Sequence, residues 1–175
     1  MKRSLGIIAG AMIVGFGAAG FADNTRAELA QAINVGTVIQ EADIRLDAEI
    51  RFAEVDANRD GFISRDEYAG SAVVMASLAR FNGEVLIDGS NAITVSLPAQ
   101  MIGRVSMGER STIDAVARSS FSYMAGDDGL MNRREWVAAR LAEFAAIDFN
   151  KDGALHGDEV NRFALSVARY PLNSV

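Results

Sequence analysis

The chain has 175 residues, with 23 acidic and 17 basic side chains and a formal charge of −6 near neutral pH. This acidic balance argues against nucleic acid as a partner, because phosphate backbones are bound by clustered cations. There is no cysteine and only one histidine, which excludes disulfides, thiol nucleophiles and zinc sites that need several such ligands. We therefore expect no enzymatic activity.

Residues 1–22 have the composition of a secretory signal peptide. Two basic residues follow the first methionine, and an uncharged apolar run then extends from Leu5 to Phe21. The run contains several glycines and is shorter than the ~20 residues of a membrane-spanning helix, so we expect cleavage after Ala22. The prediction is an exported, periplasmic protein with no stable membrane span after cleavage. A secreted protein, or one anchored by an uncleaved segment, is the alternative.

Four segments of the chain share one pattern, and we number them in chain order as loop 1 (32–43), loop 2 (56–67), loop 3 (125–135) and loop 4 (148–159). Loop 2 reads DANRDGFISRDE and loop 4 reads DFNKDGALHGDE. Both place oxygen-bearing side chains at loop positions 1, 3 and 5, glycine at position 6, an aliphatic residue at position 8 and glutamate at position 12.

This spacing suits Ca²⁺, a hard cation that takes six to eight oxygens at roughly 2.3–2.6 Å. The oxygens must converge from one tight turn, and the glycine adopts the backbone angles of that turn at low cost. We predict two Ca²⁺ per chain. The predicted ligands are Asp56, Asn58, Asp60, the carbonyl of Phe62, Ser64 and bidentate Glu67 in loop 2, and Asp148, Asn150, Asp152, the carbonyl of Ala154, His156 through water and Glu159 in loop 4.

Loops 2 and 4 resemble the EF-hand calcium-binding protein family, of an exported bacterial type, in the run DxNxDG followed by glutamate six residues after the glycine. His156 departs from the pattern, since a smaller polar residue is usual there. An acidic turn between helices is the alternative interpretation. One observation argues against this alternative. Phe52 and Val55 precede loop 2 at the same spacing at which Phe144 and Ile147 precede loop 4. This spacing is typical of the inward face of a helix that enters the loop. The resemblance implies a mainly helical fold of helix–loop–helix repeats.

Loop 3 resembles a damaged copy of the same unit. Ala125 stands where the first aspartate belongs, and the loop is one residue short. Asp127 and Asp128 remain, but on this alignment they do not fall on the ligand spacing.

Loop 1 resembles a second damaged copy. Its early positions hold Ala32, Asn34 and Gly36, which offer too few oxygens for a hard cation. It ends in Asp43, which is shorter than the usual glutamate. We expect neither loop 1 nor loop 3 to bind Ca²⁺ well.

The order of the loops indicates an internal duplication. The first half covers residues 23–68, an insertion covers 69–111, and the second half covers 112–175. Within each half the spacer between loops is long enough for only one helix of roughly 18 Å, so we predict that the two loops share it. A further hypothesis places loops 2 and 4 side by side, joined through Ile63 and Leu155.

The insertion carries a β-hairpin signal. Residues 84–97 read EVLIDGSNAITVSL, with two apolar runs around an Asp-Gly-Ser-Asn turn. The hairpin either covers part of the helical core or offers an edge to a partner. Downstream of it, Ser111 is predicted to cap the helix that enters loop 3.

These observations predict a calcium-binding protein with a structural or buffering role. The alternative is a sensor, whose calcium-loaded state exposes a groove or the hairpin edge to an unidentified protein partner.

Overall fold

A computed structural model of the chain describes Asn34 and residues 36–169. The predicted signal peptide, residues 1–22, lies outside the described residues, as does Ala32 of loop 1. Within the described part, every helix is too short or too polar to cross a membrane.

The described part of the chain is mainly helical and includes a small β-hairpin. Both features confirm predictions made from the sequence. The helices are α1 (Glu41–Val55), α2 (Arg65–Asn82), α3 (Met107–Met124), α4 (Arg133–Ile147) and α5 (Asp158–Ala168). The strands are β1 (Val38–Gln40), β2 (Phe62–Ile63), β3 (Glu84–Asp88), β4 (Ala92–Ser96), β5 (Met131–Asn132) and β6 (Ala154–His156), and a 3₁₀ turn covers Ala99–Met101.

Two of the helices each connect two loops, as the short spacers predict. Helix α1 leaves loop 1 and enters loop 2, and α4 leaves loop 3 and enters loop 4. These two helices pack against each other. The indole Nε1 of Trp136 donates a 2.8 Å hydrogen bond to the carbonyl of Ala48, and the Arg133 guanidinium lies 4.8 Å from the ring centroid of Phe52.

Short antiparallel ladders join the loops in pairs. Strand β2 of loop 2 pairs with β5 of loop 3, which sets Ile63 opposite Met131. Strand β6 of loop 4 pairs with β1 of loop 1, which sets Leu155 opposite Ile39. The hypothesis that loops 2 and 4 pair through Ile63 and Leu155 is therefore wrong.

The shared helices explain this pairing. Loops 1 and 2 lie at opposite ends of α1, which is about 22 Å long at 1.5 Å per residue, and loops 3 and 4 lie at opposite ends of α4. The observed ladders require α1 and α4 to run in opposite directions, so the start of each helix lies beside the end of the other. Each ladder then joins a loop predicted to bind calcium with one predicted not to.

A hydrophobic core lies beneath each ladder. Under the β2–β5 ladder, the Tyr68 ring lies 5.6 Å from that of Phe121 and 6.2 Å from that of Trp136, measured between ring centroids. The core under the β1–β6 ladder combines helix residues with the inward face of the hairpin. Its fully or nearly fully buried members include Ile39, Ile44, Val85, Ile87, Val95, Leu97, Phe144, Leu155, Val160 and Phe163. The hairpin thus covers this second core.

The helix boundaries differ from those expected around the insertion. Helix α2 continues beyond residue 69 to Asn82, and α3 begins at Met107. The α3 N-cap is Ser106, whose hydroxyl accepts a hydrogen bond from the Glu109 backbone N–H at 3.3 Å while the Glu109 carboxylate accepts from the Ser106 N–H at 2.8 Å. Ser111 lies inside the helix, so its predicted role as the cap is wrong. The spacing of Ser106 and Glu109, a serine three residues before a glutamate, is the sequence pattern of a capping box and indicates this helix start.

The hairpin turn rests on α1. The carboxylate of Asp43 accepts a hydrogen bond from the Ser90 N–H at 3.2 Å, and that of Asp47 accepts from the Asp88 N–H at 3.0 Å. Gly89 lies so close to this helix that an added Cβ would sit 2.6 Å from an Asp43 carboxylate oxygen and 2.7 Å from its Cβ. Only glycine fits this approach without a shift of the turn.

We predict that Gly89→Ala destabilises the protein by about 1–3 kcal/mol, because the methyl group must displace the turn from Asp43. Urea unfolding followed by circular dichroism measures the change. Gly108→Ala is the matched control, since an added Cβ meets nothing within 4 Å there and alanine favours the first turn of α3. Equal stability of the two variants would contradict the described contact.

Candidate metal centre

Loop 2 begins where α1 ends. Asp56 is the C-cap of α1, with its N–H bonded to the Phe52 carbonyl at 3.0 Å, and its side chain is buried. The two carboxylate oxygens accept hydrogen bonds from the N–H groups of Asp60 at 3.1 Å and Gly61 at 3.0 Å. Gly61 has φ 88°, a left-handed conformation that favours glycine. The chain therefore curls around the side chain at loop position 1.

The middle of loop 2 is ordered by local hydrogen bonds between side chains and backbone. Asn58 Oδ1 accepts from the Asp60 N–H at 2.9 Å, and Asp60 Oδ1 accepts from the Phe62 N–H at 2.9 Å. The Asn58 amide also donates to Asp60 Oδ2 at 2.9 Å. The oxygens at positions 3 and 5 are thus held next to each other.

Glu67 closes loop 2 from the first turn of α2. One carboxylate oxygen accepts from the N–H groups of Ala57 at 3.1 Å and Asn58 at 3.2 Å, and the other accepts from the N–H and hydroxyl of Ser64 at 2.8 and 2.7 Å. Burial raises the pKa of Glu67, but these hydrogen bonds outweigh it and hold the pKa below its ordinary value. The position 12 carboxylate therefore reaches back over the start of the loop as an anion.

Loop 4 repeats this arrangement. Asp148 caps α4 and accepts from the Gly153 N–H at 3.0 Å, and Asp152 accepts from the Ala154 N–H at 2.9 Å. Glu159 reaches back to the N–H of Phe149 at 2.9 Å and to that of His156 at 3.1 Å.

The two loops also agree in the backbone and at position 3. Asn150 accepts from the Asp152 N–H and donates to its carboxylate, both at 2.9 Å. At position 6, Gly153 has φ 81° and Gly61 of loop 2 has φ 88°. At position 4, Lys151 has φ 59° and Arg59 of loop 2 has φ 60°. The loops therefore turn in the same way at positions 4 and 6.

Loop 4 contains one polar atom that the described residues leave unsatisfied. Asp148 Oδ1 is buried and accepts no hydrogen bond. A buried carboxylate oxygen without a partner is costly, and a cation is one group that relieves the cost. The donor set of both loops, with carboxylate, amide and main-chain oxygens and in loop 2 also the Ser64 hydroxyl, is that of a Ca²⁺ site. The residues present fit this ion.

Hydrogen bonds link some of the predicted ligands within each loop, but carboxylates alone do not form the site. Across the described residues, no three or more Asp, Glu or His side chains gather as a metal-binding group. Asn, Ser and the carbonyls of Phe62 and Ala154 are needed to complete the shell, and both carbonyls belong to ladder strands. The Nε2 atom of His156 lies 3.7 Å from a carboxylate oxygen of Asp152, the predicted ligand at position 5 of the same loop.

Loop 3 keeps the second half of the pattern. Asp128 accepts from the Leu130 N–H at 3.1 Å, as Asp60 does from Phe62, and Glu135 accepts from the Asn132 N–H at 2.9 Å. The expectation that Asp128 falls off the ligand spacing is therefore wrong. Counting back from Glu135, rather than forward from Ala125, places it at position 5. The missing residue belongs to the first half of the loop, where α3 ends at Met124 and its C-cap residue, Ala125, has no side-chain oxygen.

Loop 1 uses its polar side chains for protein contacts. Asn34 is buried, donates to the Ser96 carbonyl at 3.0 Å and accepts from the Ser96 N–H at 2.9 Å. The two oxygens of Asp43 accept from the N–H groups of Ser90 in the hairpin turn and of Gln40 at the start of α1. The positions equivalent to calcium ligands thus hold the hairpin in place.

Comparison with known proteins identifies one of these units. Residues 49–69, which span the end of α1, loop 2 and the start of α2, match the family model described as EF hand. No curated protein and no solved structure matches the chain significantly. The match supports an EF-hand unit at these residues and suggests calcium binding.

The unpartnered oxygen in loop 4 predicts a difference between two substitutions. Without calcium, Asp148→Asn should destabilise the protein less than Asp56→Asn. The Asp148 substitution removes a buried carboxylate whose Oδ1 accepts no hydrogen bond. Both carboxylate oxygens of Asp56 accept hydrogen bonds, so its substitution disrupts existing contacts. A difference of about 1 kcal/mol is expected in urea unfolding with excess chelator. In saturating calcium both variants should be destabilised. A larger calcium-free cost for Asp148→Asn would contradict this account of loop 4.

Proposed function

We propose that the protein binds two Ca²⁺, one in loop 2 and one in loop 4, and that the ions serve a structural or buffering role. One observation carries the proposal. Two loops far apart in sequence show the same turn, the same order of oxygen-bearing side chains and the same closing glutamate. The side chains that correspond to ligands in loop 1 bind the hairpin instead, and loop 3 lacks an oxygen at its first position.

Bound Ca²⁺ would supply positive charge to a loop whose sequence carries three carboxylates at ligand positions. In loop 2 these are Asp56, Asp60 and Glu67, with Asn58, Ser64 and the Phe62 carbonyl completing the shell. Because the oxygens come from the end of one helix and the start of the next, binding stabilises the folded state by mass action. With no disulfide available, metal is the strongest cross-link open to this chain.

The packing between helices defines what a sensor role would require. A sensor EF hand exposes an apolar groove when its helices reorient. Here the side chains in the equivalent place, among them Phe52, Phe121 and Trp136, are buried in one core. The same core includes Ile63 and Met131 of the β2–β5 ladder, so opening it would expose residues of both paired loops.

We further propose that the protein is exported and works where calcium is abundant. The composition of residues 1–22 supports export, and this segment lies outside the described residues. Loss of the segment would remove Lys2 and Arg3 and no acidic residue, which makes the remaining chain more negative by two charges.

Calorimetric titration of the calcium-free chain tests the proposed function. We expect two Ca²⁺ per chain, with dissociation constants on the order of 10⁻⁵ to 10⁻³ M, the range of extracellular and weaker sensor sites. One site, or four, would contradict the assignment of loops, and nanomolar affinity would contradict a role in calcium-rich surroundings.

Substitution of the closing glutamates tests which loops bind. Glu67→Gln and Glu159→Gln should each weaken their own site by about tenfold or more and leave the other near its original affinity, because each removes a bidentate charged ligand. Glu135→Gln in loop 3 is the matched control, since it removes the same group from a loop that lacks the first ligand. Loss of a site in Glu135→Gln with retention in Glu159→Gln would contradict the proposal.

Expression of the full chain in a bacterial host tests export. Mass spectrometry of the mature protein should find it in the periplasm or medium with Asp23 as its first residue. Recovery from membranes with Met1 retained would support an uncleaved anchor instead.

A further inference from the structure

Helix α2 carries an exposed apolar stripe on the side away from the core. Val74, Leu78 and Phe81 have 55%, 52% and 65% of their surfaces exposed. Their spacing of four and then three residues places them on one helical face. The opposite face buries Ala69, Ala76 and other small residues against the rest of the protein. None of these exposed side chains takes part in the loops.

The stripe continues into a groove between α2 and the start of α3. Ser77, Leu78 and Phe81 form one wall, and the segment containing Arg104, Val105 and Arg110 forms the other. The groove holds about 260 Å³, which is space for one or two large apolar side chains. Val105 is buried at its base.

The rim of the groove is positive and has no carboxylate paired to it. Among the described residues the Arg104 side chain makes no ion pair or hydrogen bond, and the Arg110 guanidinium donates only to the Val105 carbonyl, at 3.4 Å. Glu109, the acidic residue next to Arg110 in the chain, is bound to Arg80 at 2.7 Å. Two exposed guanidinium groups thus flank an apolar groove in a protein whose formal charge is −6.

We propose that this surface docks an amphipathic helix of a partner protein, with apolar residues at three- and four-residue spacing and carboxylates along the edge. The apolar face would cover Val74, Leu78 and Phe81, and the carboxylates would pair with Arg104 and Arg110. A second copy of this chain fits less well, because symmetric packing of this face would bring the same guanidinium groups together. The surface is separate from both calcium loops, so the inference does not depend on the proposed function.

A synthetic peptide tests the proposal. The probe is a fluorescent helix of about 14 residues, or four turns, with leucines at alternating three- and four-residue spacing and glutamate and alanine elsewhere. The control peptide has lysine in place of every glutamate. Fluorescence anisotropy with the full chain, in calcium and in excess chelator, should show the acidic peptide binding about tenfold more tightly or better, with a difference that shrinks in high salt.

Surface variants locate the binding. Phe81→Ser and Arg104→Gln should each weaken binding of the acidic peptide by about fivefold or more. Tyr123→Ser and Arg134→Gln are matched controls, because both residues are exposed and lie outside the groove, and they should leave the affinity unchanged. The proposal is overturned if neither peptide binds at millimolar concentration, if both bind equally, or if the control variants weaken binding as much. It is also overturned if the chain is a dimer that Phe81→Ser converts to a monomer, since a second copy would then be the occupant.

Discussion

Two antiparallel β-ladders of only two or three residues per strand hold the four loops together, and the positions of the helices follow from them. In each ladder an apolar residue at loop position 8 faces its counterpart, Ile63 opposite Met131 and Ile39 opposite Leu155. All four are completely buried. Helices α1 and α4 each have a loop of one ladder at one end and a loop of the other ladder at the other end. A shift of either ladder would therefore move a helix that is also attached to the other ladder.

This arrangement gives each loop proposed to bind calcium a partner that has a different task. Loop 1 has exchanged ligand positions for contacts with the inserted hairpin through Asn34 and Asp43. Loop 3 retains Asp128 and Glu135 but has lost the residue that would open the site. A partner loop of this kind still supplies the ladder strand that holds the position 7 carbonyl of its neighbour. In this way loops 1 and 3 complete the paired fold.

The turns of loops 2 and 4 and the hairpin could be predicted from the sequence because their signals are local. A twelve-residue ligand spacing, or two apolar runs around Asp-Gly, needs no knowledge of the rest of the fold. The pairing of loops could not be predicted in this way, since it depends on the direction in which α1 packs against α4. Two further local signals indicate the observed structure where the expectations differ from it: the Ser106–Glu109 capping box marks the start of α3, and counting back from Glu135 places Asp128 at position 5.

The central claim is that each loop proposed to bind calcium pairs with a loop that lacks the full ligand set, loop 2 with loop 3 and loop 4 with loop 1. Nuclear Overhauser contacts between backbone protons of the calcium-loaded chain test it most directly, because facing residues of an antiparallel ladder bring these protons close together. We expect contacts between Ile63 and Met131 and between Ile39 and Leu155. Contacts between Ile63 and Leu155 in their place would show loops 2 and 4 paired with each other and would contradict the account.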